Sequence, residues 1–290
     1  IFVKVAELGS FSRAADALFL TQPTVSEHIR TLEDELGLRL LDRLGRGAAV
    51  ARGGALLLSY AQRMLALSRE ARQAMESFQG RMSGDLLVGA STIPGEYLLP
   101  ALIGRFKEKF PDIAITLLIG GSQAVTEWVA EGRAEIGVVG ARSAHRSIEY
   151  RELFPDDIVL IVSAAHAWHG RKQVTIEELR AEPLLLRQRG SGTRAALETA
   201  LEAAGVDLAG CRVVGEMGST QAIKQAVKAS VGVSLVSRRA VEEECRIGTL
   251  WCLRVKNLKI SRAFYLATNR ERSRPPLAEA FRAFVEAEAV

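Results

Sequence analysis

The residues best suited to chemistry begin at Thr21 and run to Arg30. Thr21 is a good N-cap and Pro23, in the first turn, costs no hydrogen bond, so the spacing predicts a helix opening there. Val25, Ile29 and Leu32 recur at i, i+4 and i+7 and make its buried stripe. The opposite face carries Gln22, Thr24, Ser26, Glu27, His28 and Arg30, short donors and acceptors suited to base edges and phosphates. Upstream, Ser12–Leu18 predicts a shorter helix that packs through Ala14, Ala15 and Leu18, with a turn at Phe19–Leu20. Two helices joined this way present the second to a DNA groove, although the same shape also serves as a plain scaffold.

A second set of polar residues recurs where predicted strands run into predicted helices. Ser91 and Thr92 follow one strand, and Gly120, Gly121, Ser122 and Gln123 a second. Arg189, Gly190, Ser191, Gly192, Thr193 and Arg194 follow a third, and Met217, Gly218, Ser219 and Thr220 a fourth. Hydroxyls and free backbone N–H groups at positive helix ends suit an anion. Each junction alone is an ordinary N-cap; four that a fold could converge make a site. The expectation is a small anionic effector held by Ser91, Thr92, Ser122, Gln123, Ser191, Thr193, Ser219 and Thr220, with Arg189 adding charge.

Competing chemistry finds less support. The run GSGTR (Gly190–Arg194) lacks the Lys-Ser/Thr ending and spacing of a P-loop. His166 and His169 have HxxH spacing without a third ligand at a recognisable distance. No nucleophile, base and orienting acid assemble. The reading therefore expects no enzyme, no metal and no cofactor. Cys211, Cys245 and Cys252 are odd in number and scattered, and they read as reduced thiols.

The elements that position these groups follow from periodicity. Gly54 to about Phe78 contains no Pro or internal Gly and reads as one long helix. Leu57, Tyr60, Met64, Leu67, Ala71, Ala74 and Phe78 alternate spacings of three and four, a heptad seam that favours a dimer and hence a DNA site with dyad symmetry. Gln79–Gly84, with Gly80, Ser83 and Gly84, ends it as a hinge. Beyond lie strands at Leu86–Ala90, Ile113–Ile119, Ile136–Val139, Ile158–Val162, Leu184–Leu186, Cys211–Val214, Val233–Val236 and Ala263–Ala267. Helices are expected between them at Leu98–Lys109, Ala124–Glu131, Arg194–Ala204, Gln221–Ala229 and Leu277–Glu286. This alternation predicts an α/β fold with a mostly parallel sheet, whose ligands sit beyond the carboxyl ends of the strands.

The stretch from Ile1 to about Gly54 resembles the winged helix-turn-helix of LysR-type transcriptional regulators. The resemblance rests on FSRAAxxL (Phe11–Leu18), TQPTVSxxIRxLE (Thr21–Glu33), LGxxLLxR (Leu36–Arg43) and Arg46. It implies a linker helix followed by a two-lobed effector domain of periplasmic-binding-protein type, and so covers essentially the whole chain. It also makes Gln22, Pro23, Ser26, Glu27 and Arg30 groove-facing, and brings Arg43, Arg46 and Arg52 from the wing to phosphates, where released counterions supply non-specific affinity. Glu27 stands where the family usually has a basic or amide residue. Leu41 replaces a Phe. Ala51 replaces a Thr, a lost cap worth roughly 1 kcal/mol. STIPGEYLLP (Ser91–Pro100), GSGTR and GSTQAIKQAV look most like a subgroup named for selenium or sulfur metabolism.

Expected boundaries are 1–53 for the winged helix-turn-helix, 54–80 for the linker and 84–290 for the effector domain. Lobe I takes 84–161 and 263–290 and lobe II 162–262, with crossings near Val162 and Arg262. The 290 residues suit two or three domains. No run of about 20 apolar residues predicts a membrane span. The net charge of +4 permits a polyanionic partner without demanding one. The chain starts without Met inside an expected first helix, Ile1–Leu8, so a short preceding segment is expected, and no signal peptide is read. The whole reads as a cytoplasmic regulator that binds double-stranded DNA as a homodimer or homotetramer and answers to a small anion. A solute-binding receptor would need an export signal and no DNA module; an enzyme would show turnover.

Overall fold

The computed structural model describes residues 1–44, 47–79, 82–272 and 274–289, and of Arg43, Leu44 and Ser77 the backbone alone. Arg46 and Gly80, both assigned roles above, lie outside the described residues, and so does the Arg43 side chain. The chain divides into two compact units, residues 1–72 with 131–133 and residues 73–130 with 134–290.

The first unit opens with α1 (Phe2–Leu8), α2 (Phe11–Leu18) and α3 (Gln22–Leu36). Ser10 caps α2 by accepting from the Arg13 N–H, so the helix starts at Phe11, one residue before the expected Ser12. The turn forms at Phe19, whose backbone is left-handed (φ 56°) and whose ring is 97% exposed. Phe2, Val5, Ala14, Ala15, Val25, Ile29, Leu40 and Leu41 make the core. The wing is an antiparallel pair, β1 (Leu41–Leu44) and β2 (Gly47–Val50). α4 (Arg52–Phe78) starts two residues before the expected Gly54. Gly54 is required at its first turn, because a Cβ there would stand 2.0 Å from the Leu40 carbonyl oxygen. Leu57 departs from the expected heptad seam by packing with Leu58 and Ala61 on the core. Tyr60, Met64 and Leu67 are exposed.

The second unit is built on one extended sheet. In chain order it holds β3 (Gly84–Ser91), a π-helical turn at Pro94–Leu98 leading into α5 (Leu99–Lys109), β4 (Ile113–Gly120), α6 (Ser122–Glu131), β5 (Ile136–Val139), β6 (Ile148–Ser163), β7 (Gln173–Val174), α7 (Ile176–Ala181) and β8 (Leu184–Arg187). After these come α8 (Gly192–Ala203), β9 (Val213–Met217), α9 (Thr220–Lys228), β10 (Val233–Ser237), α10 (Glu242–Ile247), β11 (Leu250–Val255), β12 (Ser261–Asn269) and α11 (Pro276–Ala287). The main path runs β4-β3-β5-β12-β6-β10-β8-β9, and β11 pairs with β6 and β7.

The 16-residue β6 joins the lobes. Ile148–Asp157 pairs with β12, and Ile158–Ser163 pairs with β10 and β11. The first crossing therefore lies at Asp157–Ile158, earlier than the expected Val162, because the apolar run from Ile158 belongs to the lobe II sheet. The return crossing lies at Ile260–Ser261, just before Arg262. Alternation along β6 feeds both faces: Ile158, Leu160 and Val162 enter one core with Leu184, Leu197 and Leu235, while Val159 and Ile161 enter another with Ile223 and Val236.

Cys245 and Cys252 are disulfide-bonded, with Cα atoms 6.5 Å apart. That corrects the reading of three reduced thiols: the short turn between α10 and β11 brings the pair face to face. Cys211 is free and buried, and burial pushes its thiol up from the ordinary value. No helix among the described residues is long and apolar enough to cross a membrane.

Candidate functional site

In the first unit α3 carries the polar face. The Thr21 hydroxyl accepts from the Thr24 N–H at 3.4 Å and lies 2.8 Å from the Thr24 hydroxyl. Gln22, Pro23, Glu27, His28 and Arg30 are exposed, Thr24 and Ser26 are half-buried, and Val25 and Ile29 are buried. Arg30 stands 3.9 Å from the exposed Asp34, a pairing water screens to little worth. Sequence reasoning passed over Glu33. Its Oε1 accepts from the Leu40 and Leu41 N–H groups at 2.7 and 3.1 Å, fastening α3 to the root of the wing.

In the second unit a cavity of about 270 Å³ opens between the lobes. Ser91, Thr92, Ser122, Ser191, Thr193 and Ser219 line it, six of the nine residues expected there. Three are placed elsewhere. Gln123 is exposed and donates to the Glu127 carboxylate at 3.1 Å. Arg189 is exposed, and its backbone N–H is held by Glu216 at 3.3 Å. Thr220 is buried behind the wall, where its hydroxyl accepts from Arg187 Nη1 at 2.6 Å. Three helix starts meet at the cavity, with Ser122 heading α6 and Ser191 and Ser219 at the N-cap positions of α8 and α9. The Ser191 side chain makes no cap hydrogen bond, whereas Ser219 accepts from Ala222 and Ser91 from Gly140.

The charge comes from two arginines the sequence reading did not assign. Arg187, at the carboxyl end of β8, is 5% exposed. Besides Thr220 it donates to the Gly218 carbonyl at 3.0 Å, and its Nε has no partner. Arg262 enters from β12, donates from Nε to Asp156 at 2.9 Å and leaves Nη2 without a partner. Burial pushes both guanidinium groups below their ordinary value; the lining Glu96 carboxylate opposes this at Arg187 and Asp156 at Arg262. Both stay charged near neutrality. Asp156, which also accepts from the Ser237 hydroxyl at 2.5 Å, compensates Arg262. Arg187 has no carboxylate in hydrogen-bond contact. Gly192 is needed beside Arg262, because a Cβ there would stand 2.7 Å from the Gly140 carbonyl oxygen and 2.9 Å from Arg262 Nη1.

Arg187 had a signal in the sequence, since strand ends are where such sheets bind ligands. Arg262 was expected only as a point where the chain crosses between lobes; it reaches the cavity because β12 returns there. Arg194 is structural, donating to the Arg187 carbonyl and pairing with Glu198 and Glu216. His166 and His169 do not converge: one lies 3.7 Å from Glu182 and the other packs on Trp251.

Known proteins divide along the same lines. Residues 1–55 match the family described as bacterial regulatory helix-turn-helix protein, lysR family, and residues 79–290 match the LysR substrate binding domain. A protein of Trichormus variabilis named "Probable RuBisCO transcriptional regulator" is 34% identical over 284 residues, covering 97% of this chain and 84% of its own. A protein of Cyanidium caldarium with the same name is 32% identical, covering 94% and 87%. The crystal structure of CbnR, a LysR family transcriptional regulator, superposes with a TM-score of 0.75 at 22% identity, covering 100% of this chain and 97% of that one. The CcmR regulatory domain of Synechocystis PCC6803, solved in complex with 2-PG (2-phosphoglycolate), gives 0.65 at 25% identity over 71% of this chain and 98% of its own. The chain belongs to the LysR family of DNA-binding transcriptional regulators, with an N-terminal helix-turn-helix and a C-terminal effector-binding domain.

Proposed function

We propose that this regulator controls carbon-fixation genes and answers to a small phosphorylated carboxylate bound between its lobes. One observation carries the effector class: Arg187 is a buried cation with an unpartnered Nε and no carboxylate hydrogen-bonded to it. A buried charge is costly unless paired, so the cavity is built to receive an anion. Arg262 Nη2 supplies a second unpartnered donor, and the N-termini of α6, α8 and α9 add positive dipole ends. At about 270 Å³ the cavity is smaller than the ~300–1,000 Å³ of drug-sized pockets, which favours a compact metabolite. The relatives named as RuBisCO regulators and the 2-PG complex of the CcmR domain support carbon metabolism; none of these findings supports the selenium or sulfur subgroup.

On this reading Ser91, Thr92, Ser122, Ser191, Thr193 and Ser219 orient the anion, Arg187 and Arg262 hold its charge, and Thr220 positions Arg187. Thr21, Gln22, Pro23, Thr24, Ser26, Glu27 and Arg30 face the DNA groove, and Arg43, Arg46 and Arg52 meet phosphates. The exposed apolar stripe Tyr60, Met64 and Leu67 is the seam on which two copies pair, within a dimer or tetramer in the cytoplasm. The domains are the winged helix-turn-helix to residue 53, the linker to residue 80 and the effector domain from residue 84. The protein binds and releases its effector without turning it over.

Footprinting of the DNA upstream of the gene, with and without 2-phosphoglycolate, tests this. The expected result is a protected dyad whose extent or affinity changes with the ligand. Protection indifferent to small phosphorylated carboxylates would remove the effector assignment, and absence of protection the operator assignment.

A further inference from the structure

A second cavity, more than twice as large at about 670 Å³, lies in lobe II against the strands that cross between the lobes. Arg238, Arg254, Lys256 and Lys259 line it, with Asp157 as the one lining carboxylate. All four cations are exposed, and none has an ion pair or side-chain hydrogen bond. Other arginines of this unit are tied to carboxylates, including Arg151 to Glu286, Arg171 to Glu178 and Arg282 to both Glu279 and Glu286. Four like charges around one concavity repel one another and focus a positive field into it.

The cationic rim is held in place. The turn after β11 is fastened by the Lys256 N–H on the Val174 carbonyl at 2.7 Å and by the Leu258 N–H on the Val255 carbonyl at 3.2 Å. Asn257 takes the left-handed conformation the turn needs, with φ 60°. Lys256 and Lys259 thus project from a braced turn, and Arg254 from the strand feeding it. Asp157–Leu160 and Lys259–Ile260, which also line the cavity, belong to the two crossing segments.

We propose that this cavity is a second anion site, separate from the interlobe cleft, that takes a compact polyphosphate, either free or as the phosphate tail of a nucleotide. Several charged oxygens within a few ångströms match four cations that line one cavity better than a single carboxylate does. Because both crossing segments line it, an occupant touches the joint about which the lobes move and biases their arrangement.

Titration calorimetry of the full chain at about 0.1 M salt, with sodium triphosphate and with adenosine triphosphate in separate arms, tests the proposal. The expected result is one site per chain, weakened at least tenfold at 1 M salt, where the screening length falls from ~10 Å to ~3 Å. It persists in Arg187→Ala and is lost in the Arg254→Glu, Lys256→Glu double variant. Equal affinity in both arms assigns the free polyphosphate, and tighter nucleotide binding assigns the nucleotide. Amine acylation of the unaltered chain gives an independent readout, in which triphosphate shields Lys256 and Lys259 and leaves Lys109 reactive. No binding in either arm, binding that survives the double variant, or unshielded Lys256 and Lys259 overturns the site.

Discussion

Arg187 Nη1 donates to the Thr220 hydroxyl at 2.6 Å, which ties the end of β8 to the first turn of α9. The bond turns a strand-end cation toward the cleft. Removing the cation removes charge-assisted hydrogen bonds of ~1.5–3 kcal/mol. Arg187→Ala is expected to weaken binding of a phosphorylated carboxylate by roughly ten- to a hundredfold in calorimetry. Thr220→Val, which leaves the charge and loosens its aim, is expected to cost less, on the order of threefold, within a hydrogen bond's usual net worth.

The Arg262–Asp156 pair is a stability element, and Arg262 also lines the cavity. Its Nε–Oδ2 distance is 2.9 Å, and the Asp156 side chain is fully buried. Deleting one partner of a buried pair strands the other charge, at a cost of ~3–5 kcal/mol. Asp156→Ala is expected to lower the melting temperature of the effector domain by roughly 6–20 °C, at about 2–4 °C per kcal/mol for this size. An unchanged melt would mean that water already solvates Arg262.

Stability should depend on pH through Glu244. Burial pushes its carboxyl up, but the Lys224 hydrogen bond at 2.8 Å and the attraction of Lys224 and Lys228 override that and leave it below its ordinary value. At Lys224 burial pulls the pKa down, and the hydrogen bonds with Glu244 and Tyr97 override it to leave the ammonium above its ordinary value. The Glu244 contribution is therefore present above the unfolded carboxyl value near 4.3 and lost as pH falls through the lower folded one. The Lys224 contribution is present below about 10.4 and lost only in stronger base. Glu244→Gln is expected to melt lower than the parent at pH 7, with the gap narrowing through pH 4 and below. A gap constant from pH 7 to 3 would contradict it.

Glu33 and Glu27 are both acidic residues on α3 and should behave oppositely. Glu33→Ala leaves the Leu40 and Leu41 N–H groups without their acceptor, so amide exchange there should accelerate on the order of 10- to 100-fold, from ~1.5–3 kcal/mol. Glu27 is exposed and fastens nothing. Glu27→Gln is expected to leave exchange unchanged and to tighten DNA binding a few-fold by removing a carboxylate near phosphates, with the largest effect at low salt.

Much of this was legible in sequence because it is local. Thr21, Pro23 and the Val25–Ile29 stripe specify α3 without help from the rest of the chain, and the Ser/Thr-Gly junctions mark the helix starts around the cleft. What escaped depends on distant segments. β6 runs on through Pro155, Asp156 and Asp157 into lobe II, pairing Pro155 with Ala263 near a bulge at Phe264/Tyr265. The apolar run from Ile158 pairs with β10 and β11 of lobe II, so the crossing precedes it instead of falling near its end at Val162. Arg187 at a strand end and Arg262 near a lobe crossing meet at one cavity only through the pairing of β6 with both β10 and β12. Arg189, the residue expected to carry charge, sits two residues beyond the strand end, on the exposed turn.

Calorimetry of 2-phosphoglycolate binding to the full chain and to Arg187→Ala, at the same salt and pH, addresses the anion-gated reading most directly. The account predicts one site per chain in the parent and at least a tenfold loss in the variant, with the variant's melting profile preserved. Equal affinity in the two proteins, or no binding by the parent, would contradict it.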